Sequence, residues 1–232
     1  LIKPLLVYFQ AADYPDILEE LDKIPCDKLF LKYMPYPHVH NYAREFFMQH
    51  EEYTHIIIHP QDLIVKKEHY DKLVEDLEKF DYPSLAGVCN VGTKGVLAHV
   101  WAVCMELPTL AKDHRHYNWC PRGKNLGIMQ VKFEGNMFNF IRRDIAEKRM
   151  MDGEYVFRGT DNSNGKASPD LTFCHNMDKL GLPVYVDTEV IMFHKATHEK
   201  IIVGKVNSEA YYEKNGEKVR LNPIIPIELR TV

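Results

Sequence analysis

The sequence predicts an α/β fold, with a mostly parallel sheet and helices on both faces. Three observations predict it. Short β-branched and aromatic runs alternate with helix-spaced apolar residues through the first 91 positions, the pattern of a parallel sheet with crossover helices. The runs are apolar on both sides of the strand, as strands covered on both faces must be. The third run, "HIIIH" (55–59), ends in a turn that presents a carboxylate, Asp62, and ligands of open α/β sheets sit beyond the carboxyl ends of the strands.

The elements follow in order. "LLVYF" (5–9) is the first strand. In "DYPDILEELDKI", Asp13 caps and Pro15 opens a helix burying Ile17, Leu18, Leu21 and Ile24. "KLFLKYM" (28–34) is the second strand, the segment around Ala43, Phe46 and Phe47 the second helix, and 55–59 the third strand. Tyr70, Leu73, Val74 and Leu77 recur at helical spacing before "SLAGVCNV" (84–91), a fourth strand. The second half is less regular. "HVWAVCMEL" (99–107) and "IMQVKFEGNMFNFIRR" (128–143) read as strands, and 108–127 and 159–168 as long polar loops of the kind that form binding surfaces.

A helix follows with Ser168 as N-cap, Pro169 as first residue, Leu171, Cys174, Met177 and Leu180 as its buried stripe, and Gly181 as its stop. "PVYVD" and "VIMFH" are then two short strands, the second ending at His194. The tail "NPIIPIELRTV" packs on the surface or forms an edge strand. The whole reads as one domain, with residues 1–100 forming a nucleotide-binding half, 101–200 a catalytic half and 201–232 an extension.

Composition narrows the function. The 232 residues are 45% apolar and 27% charged, ordinary for a folded globular chain. A formal charge of -4 and a pI near 6.3 argue against nucleic acid as a partner. Five dispersed cysteines with no C-x-x-C pair fit a reduced, cytoplasmic setting. No apolar stretch approaches the roughly 20 residues of a transmembrane helix.

The order of strand, Asp-bearing turn, long sheet, "PDLTFC" helix, "LGLPVYVD" and closing His resembles the GT-A fold glycosyltransferases of the family 2 type over most of residues 1–195. The resemblance implies a GT-A-like, Rossmann-like sheet. It also implies metal-dependent transfer of a hexosyl or pentosyl group from a nucleoside-diphosphate sugar to a hydroxyl of a glycan, lipid or protein, with inversion. It assigns Asp62 and His194 to the metal, Mn²⁺ or Mg²⁺, and Asp170 to the catalytic base. Arg44 in "NYARE", Gln61 in the turn, and Gly135 and Asn136 in "FEGNMF" would bind substrate. The turn departs from the family's D-x-D pattern, because Pro60 stands where the first acid belongs, and in the second motif Pro169 replaces the acid before Asp170.

These residue types suit the chemistry. A hard cation with oxygen and imidazole ligands stabilises the charge developing on a departing diphosphate, and a carboxylate can take the proton of an attacking hydroxyl. Plainer roles compete. Asp62 could cap a helix near Val65, Asp170 could serve only the helix dipole, and His194 could be a buried histidine. His59 is a candidate substitute for the missing acid, or a core residue. His114 and His116 read as solvated, Trp101 as core, and Tyr117 and Trp119 as possible sugar-stacking surfaces. Adjacent Cys174 and His175 point in different directions on a helix and make no nucleophile–base pair. The competing functions are a nucleotide-sugar-binding protein without turnover and a nucleotidyltransferase; the latter usually carries a glycine-rich phosphate loop, which "LLVYFQAADYP" lacks.

Overall fold

A computed structural model describes residues 1–10, 14–32, 38–91, 100–105, 118–121, 126–148, 169–195, 202–206, 209–214, 217–220 and 227–232. The elements of the first half are β1 (Pro4–Gln10), α1 (Pro15–Asp22), β2 (Asp27–Lys32), α2 (His38–Met48), β3 (His55–His59), β4 (Leu63–Ile64), α3 (Lys67–Lys79) and β5 (Ser84–Val91). Those that follow are β6 (Val100–Met105), β7 (Asn118–Pro121), β8 (Ile128–Val131), β9 (Phe133–Glu134), β10 (Asn139–Arg142), α4 (Arg143–Glu147), α5 (Pro169–Lys179) and β11 (Val184–His194). The C-terminal strands are β12 (Ile202–Val206), β13 (Glu209–Lys214), β14 (Glu217–Arg220) and β15 (Ile227–Arg230).

The main sheet runs β15-β2-β1-β3-β10-β5-β11-β4. β1 pairs in parallel with β2 and β3, and β5 with β11, as a crossover sheet requires. The expected mostly parallel sheet is nevertheless mixed. β10 lies antiparallel between β3 and β5, with Phe140 opposite Ile57 on one side and Leu85 on the other. Phe140 and Ile141 are both fully buried, so this strand is apolar on both faces and suited to the centre of the sheet. β15 adds an antiparallel edge beside β2, which bears out the edge-strand reading of the tail. β12, β13 and β14 form a separate antiparallel sheet.

Strand alternation divides the core in two. Leu5, Val7, Phe9, Ile56, Ile58, Ala86 and Val88 face α2, α4 and α5 through Val39, Phe47, Ile145, Phe173 and Met177. Leu6, Tyr8, Ile57, Leu85 and Cys89 face α1 and α3 through Ile17, Leu21, Leu73 and Leu77. Helices thus cover both faces. α5 starts at Pro169 and ends as expected: Gly181 takes a left-handed φ of 66°, and the Leu182 amide donates to the Met177 carbonyl at 2.9 Å. The expected cap Ser168 and the loop 159–168 lie outside the described residues. So do Asp13, His114, His116 and Tyr117, while Trp119 falls in β7, within the stretch read as a loop.

Two features escaped the sequence pattern. "PVYVD" and "VIMFH" form one strand, β11, whose register against β5 shifts between Val186 and Ile191. Gly87 on β5 lies against this bulge, where a Cβ would stand 2.5 Å from Met192 Cε and 2.9 Å from the Val190 carbonyl oxygen. The strands could not pair this closely with a larger residue there. The second feature is an exchange of arginines between helices. Arg44 of α2 donates to the Ala146 and Glu147 carbonyls at the end of α4, at 2.6 and 3.3 Å. Arg143 of α4 donates to the Phe47 and His50 carbonyls at the end of α2, at 3.0 and 2.6 Å. Each helix's unsatisfied terminal carbonyls are met by a cation from the other.

Candidate active site

The site begins where β3 stops. Pro60 cannot continue the ladder, and the chain turns through Gln61 and Asp62 into β4, whose Leu63 pairs with His194 at the end of β11. The Asp62 carbonyl accepts the Lys195 amide at 2.7 Å, and its carboxylate lies 3.3 Å from His194 Nε2. Their side chains are 20% and 30% exposed, so a ligand can reach both. The carboxylate raises the His194 pKa above its ordinary value, against a smaller opposing effect of burial. The two residues that the resemblance assigns to the metal are therefore neighbours.

Asp62 does not cap a helix. α3 begins at Lys67 with Lys66 as its N-cap, and His69 Nδ1 accepts the Lys66 amide at 3.2 Å. His59 does not join the pair either: alternation along β3 turns it into the core, edge-on to Tyr8 and Phe138 with ring centroids 5.2 and 5.4 Å away. Its Nδ1 lies 2.6 Å from the Pro60 carbonyl, and burial pushes its pKa down to about 4, so it is a neutral core histidine. Gln61 is held by the Tyr8 hydroxyl, which donates to its backbone carbonyl at 3.0 Å. Its Oε1 is buried with no hydrogen-bond partner.

The opposite wall comes from the turn between β9 and β10. Because β10 runs antiparallel, this turn meets the carboxyl end of β3 and the middle of β5, where the Gly87 amide donates to the Met137 carbonyl at 3.2 Å. Gly135 and Asn136 lie in it, as expected. The left-handed backbone falls on Asn136 and Phe138, with φ of 53° and 54°, conformations that Asn tolerates and Phe rarely adopts. Asn136 Oδ1 accepts from Asn139 Nδ2 at 3.2 Å, while its own Nδ2 is buried without a partner.

Glu134 is the residue the sequence reading missed. It is fully buried; Oε1 accepts from Asn139 Nδ2 at 2.8 Å and Oε2 from the Met137 amide at 3.2 Å. Asn139 in turn accepts from the Ser84 hydroxyl at 2.8 Å. Burial, and next the charge of Asp170, push the Glu134 carboxyl up to about 8. A single acid inside the apolar run "VKFEGNMF" was the available signal. Asp170 sits half-buried in the first turn of α5, the helix that packs against β9. Cys89 on β5 links the two walls: burial first, then the carboxylates of Asp62 and Glu134, push its thiol up to about 12.

The Arg44 guanidinium is buried against α4, and its remaining nitrogen meets Glu45 at 2.9 Å. In these contacts it ties two helices together.

Asp62 and His194 offer one carboxylate oxygen and one imidazole nitrogen, a donor set that fits part of a Mn²⁺ or Mg²⁺ shell. Among the described residues no three His, Cys, Asp or Glu side chains are grouped to hold a metal; such ions often complete their shell with phosphate oxygens and water.

The ion pair has a pH signature. Because the folded-state pKa of His194 is raised, its contribution to stability is full below the unfolded value of 6.5 and is lost as pH rises through the folded value. Melting curves of the wild type and Asp62→Asn are expected to differ most near pH 6 and to converge in mildly alkaline buffer. A difference that grows with pH would contradict the pairing.

Fold and site together define an α/β protein with a mixed sheet and an Asp62–His194 pair beyond the carboxyl end of β3. No family model matches the chain, and no curated protein does. Among solved structures it resembles A197 from STIV, at 12% sequence identity and a TM-score of 0.54, over 97% of each chain. That likeness shows a shared fold. Among the described residues no helix is long and apolar enough to cross a membrane.

Proposed function

We propose that the protein is a GT-A-like glycosyltransferase that moves a hexosyl or pentosyl group from a nucleoside-diphosphate sugar to an acceptor hydroxyl on a glycan, lipid or protein. The observation that carries this reading is the Asp62–His194 pair at 3.3 Å, formed at the carboxyl end of a central strand by residues 132 positions apart in the chain. Asp62 and His194 would hold Mn²⁺ or Mg²⁺, which when bound neutralises charge on the diphosphate. Asn136, with its unpartnered buried Nδ2, and Gln61, with its unpartnered Oε1, offer a donor and an acceptor to substrate.

Asp170 is the base in this reading. Its carboxylate accepts the acceptor hydroxyl's proton as that oxygen bonds to the anomeric carbon. The bond from that carbon to the diphosphate breaks on the opposite side, and the diphosphate keeps the electron pair. One such displacement inverts the anomeric centre.

Calorimetric titration with a panel of nucleoside diphosphates and their sugars, with and without Mn²⁺, tests the site. Metal-dependent binding of one nucleotide, lost in Asp62→Ala, is expected; binding indifferent to both metal and Asp62 would remove the reading. Pro60 in place of an acid favours a second outcome, a nucleotide-sugar-binding protein of the same fold without turnover. That reading predicts binding with no release of nucleoside diphosphate.

A further inference from the structure

We propose that the bulge in β11 is a positioning element of this site: it reverses the alternation of the strand, so that His194 emerges on the face where Asp62 stands, and Lys72 of α3 and Thr188 hold it in that form. The reversal follows from the strand registers; its bearing on metal binding rests on the transferase reading.

A regular strand sends every second residue to the same face. β11 does not. Val184 and Val186 enter the core under α2, α4 and α5, whereas Val190 and Met192, also an even number of steps along the strand, enter the core under α1 and α3. The pairing with β5 gives the reason. Between Val186 opposite Ala86 and Ile191 opposite Val88, β11 takes five steps where β5 takes two, an odd excess of three. An odd excess exchanges the two faces. His194 follows Met192 by two positions and shares its face, where it pairs with Leu63 of the same core and meets Asp62 at 3.3 Å. With unbroken alternation His194 would point with Val184 and Val186 to the other side of the sheet, away from Leu63.

The bulge is fixed by its own turn, by the segment before β8 and by α3. Asp187, fully buried, accepts the Glu189 amide on Oδ1 at 2.9 Å. The amide and hydroxyl of Thr188 donate to the Gly127 carbonyl at 3.0 and 2.8 Å, and the same hydroxyl oxygen accepts the Leu126 amide at 2.9 Å. From α3, the Lys72 ammonium lies 3.3 Å from Asp187 Oδ2 and 2.7 Å from each carboxylate oxygen of buried Asp76. The buried carboxylate of the bulge thus has the cation that such a group requires. Bulges beside functional sites re-aim side chains in this way.

Insertion of glycine after Glu189 tests the reversal. One glycine makes the excess even and two keep it odd, so parity, not the size of the lesion, is expected to decide the outcome. The readouts are nuclear Overhauser contacts between the His194 ring and the Leu63 methyl groups, and calorimetry of Mn²⁺ with nucleoside diphosphate. The wild type and the two-glycine variant are expected to show the contact and to bind metal; the one-glycine variant is expected to lose the contact and about 10-fold to 100-fold in Mn²⁺ affinity. A contact retained with one glycine, or lost with two, overturns the proposal. Lys72→Met and Thr188→Val leave the strand length unchanged and remain decisive if an inserted chain fails to fold. Both are expected to speed amide exchange at Glu189, to weaken the His194–Leu63 contact and to lower Mn²⁺ affinity several-fold. Faster exchange with the contact and Mn²⁺ binding unaltered, or no change in any of them, overturns the positioning role. Absence of Mn²⁺ and nucleotide binding in every protein overturns the transferase reading and the bearing on metal together, while the Overhauser contacts still decide the reversal.

Discussion

Asp170→Asn is expected to slow sugar transfer by about 100-fold to 10,000-fold, the usual contribution of a general base, while leaving metal-dependent nucleotide binding within a few-fold of the wild type. The amide keeps the shape and hydrogen-bonding reach of the carboxylate but cannot take a proton. α5 should be little disturbed, since its buried face is formed by Phe173, Cys174 and Met177 and its end by Gly181. Single-turnover transfer and calorimetry on the same preparation separate the two quantities. Unchanged turnover would move the base elsewhere in the cleft. Equal loss of binding and turnover would make Asp170 a donor ligand instead.

Arg44→Ala is expected to destabilise the fold by about 2–4 kcal/mol, because it leaves two terminal carbonyls of α4 without their charged donor and removes a buried guanidinium. Nucleotide affinity of the folded fraction should not change. Arg143→Ala breaks the other half of the exchange, where the guanidinium also lies 4.2 Å from the Phe47 ring centroid. Because both substitutions loosen the same α2–α4 contact, the double variant should lose less than the sum of the two. Denaturant unfolding of the four proteins measures this. A fully additive result would show that the two helix ends behave independently, and selective loss of nucleotide binding in Arg44→Ala would support the donor-side role that the family resemblance implies for this arginine.

The parts of the fold legible in the sequence were those set by local periodicity. β1, β3, α1 and α3 have one environment along their whole length, so their spacing reports it: Leu5, Val7 and Phe9 face one core and Leu6 and Tyr8 the other. The end of α5 was legible because Gly181 is a local signal. Periodicity tells that a face is buried, however, and not what it meets. Nothing in "NFIR" states that β10 enters between β3 and β5. The same limit hid the α4 partners of Arg44, which lie about 100 residues away. In the site, Asp62 and His194 stood out because each closes an apolar strand run, whereas Glu134, the last residue of the two-residue β9, lies inside the longer run 128–143 that reads as strand. Its hydrogen-bond partners Asn139 and Met137 are near in sequence, but only the left-handed turn makes them converge on it.

The central antiparallel strand also governs the order in which the molecule can assemble. β3 and β5 are separated by 24 residues in sequence, yet neither pairs with the other; both wait for residues 139–142. A chain cut near residue 100 would therefore expose two apolar strand edges at what should be the middle of its sheet, the situation that invites pairing with other chains. Such contacts between distant segments raise the loop-closure cost of the folding transition state, so folding should be slow and committed late. The boundary expected near residue 100 therefore leaves β10 on the far side from the two strands it joins.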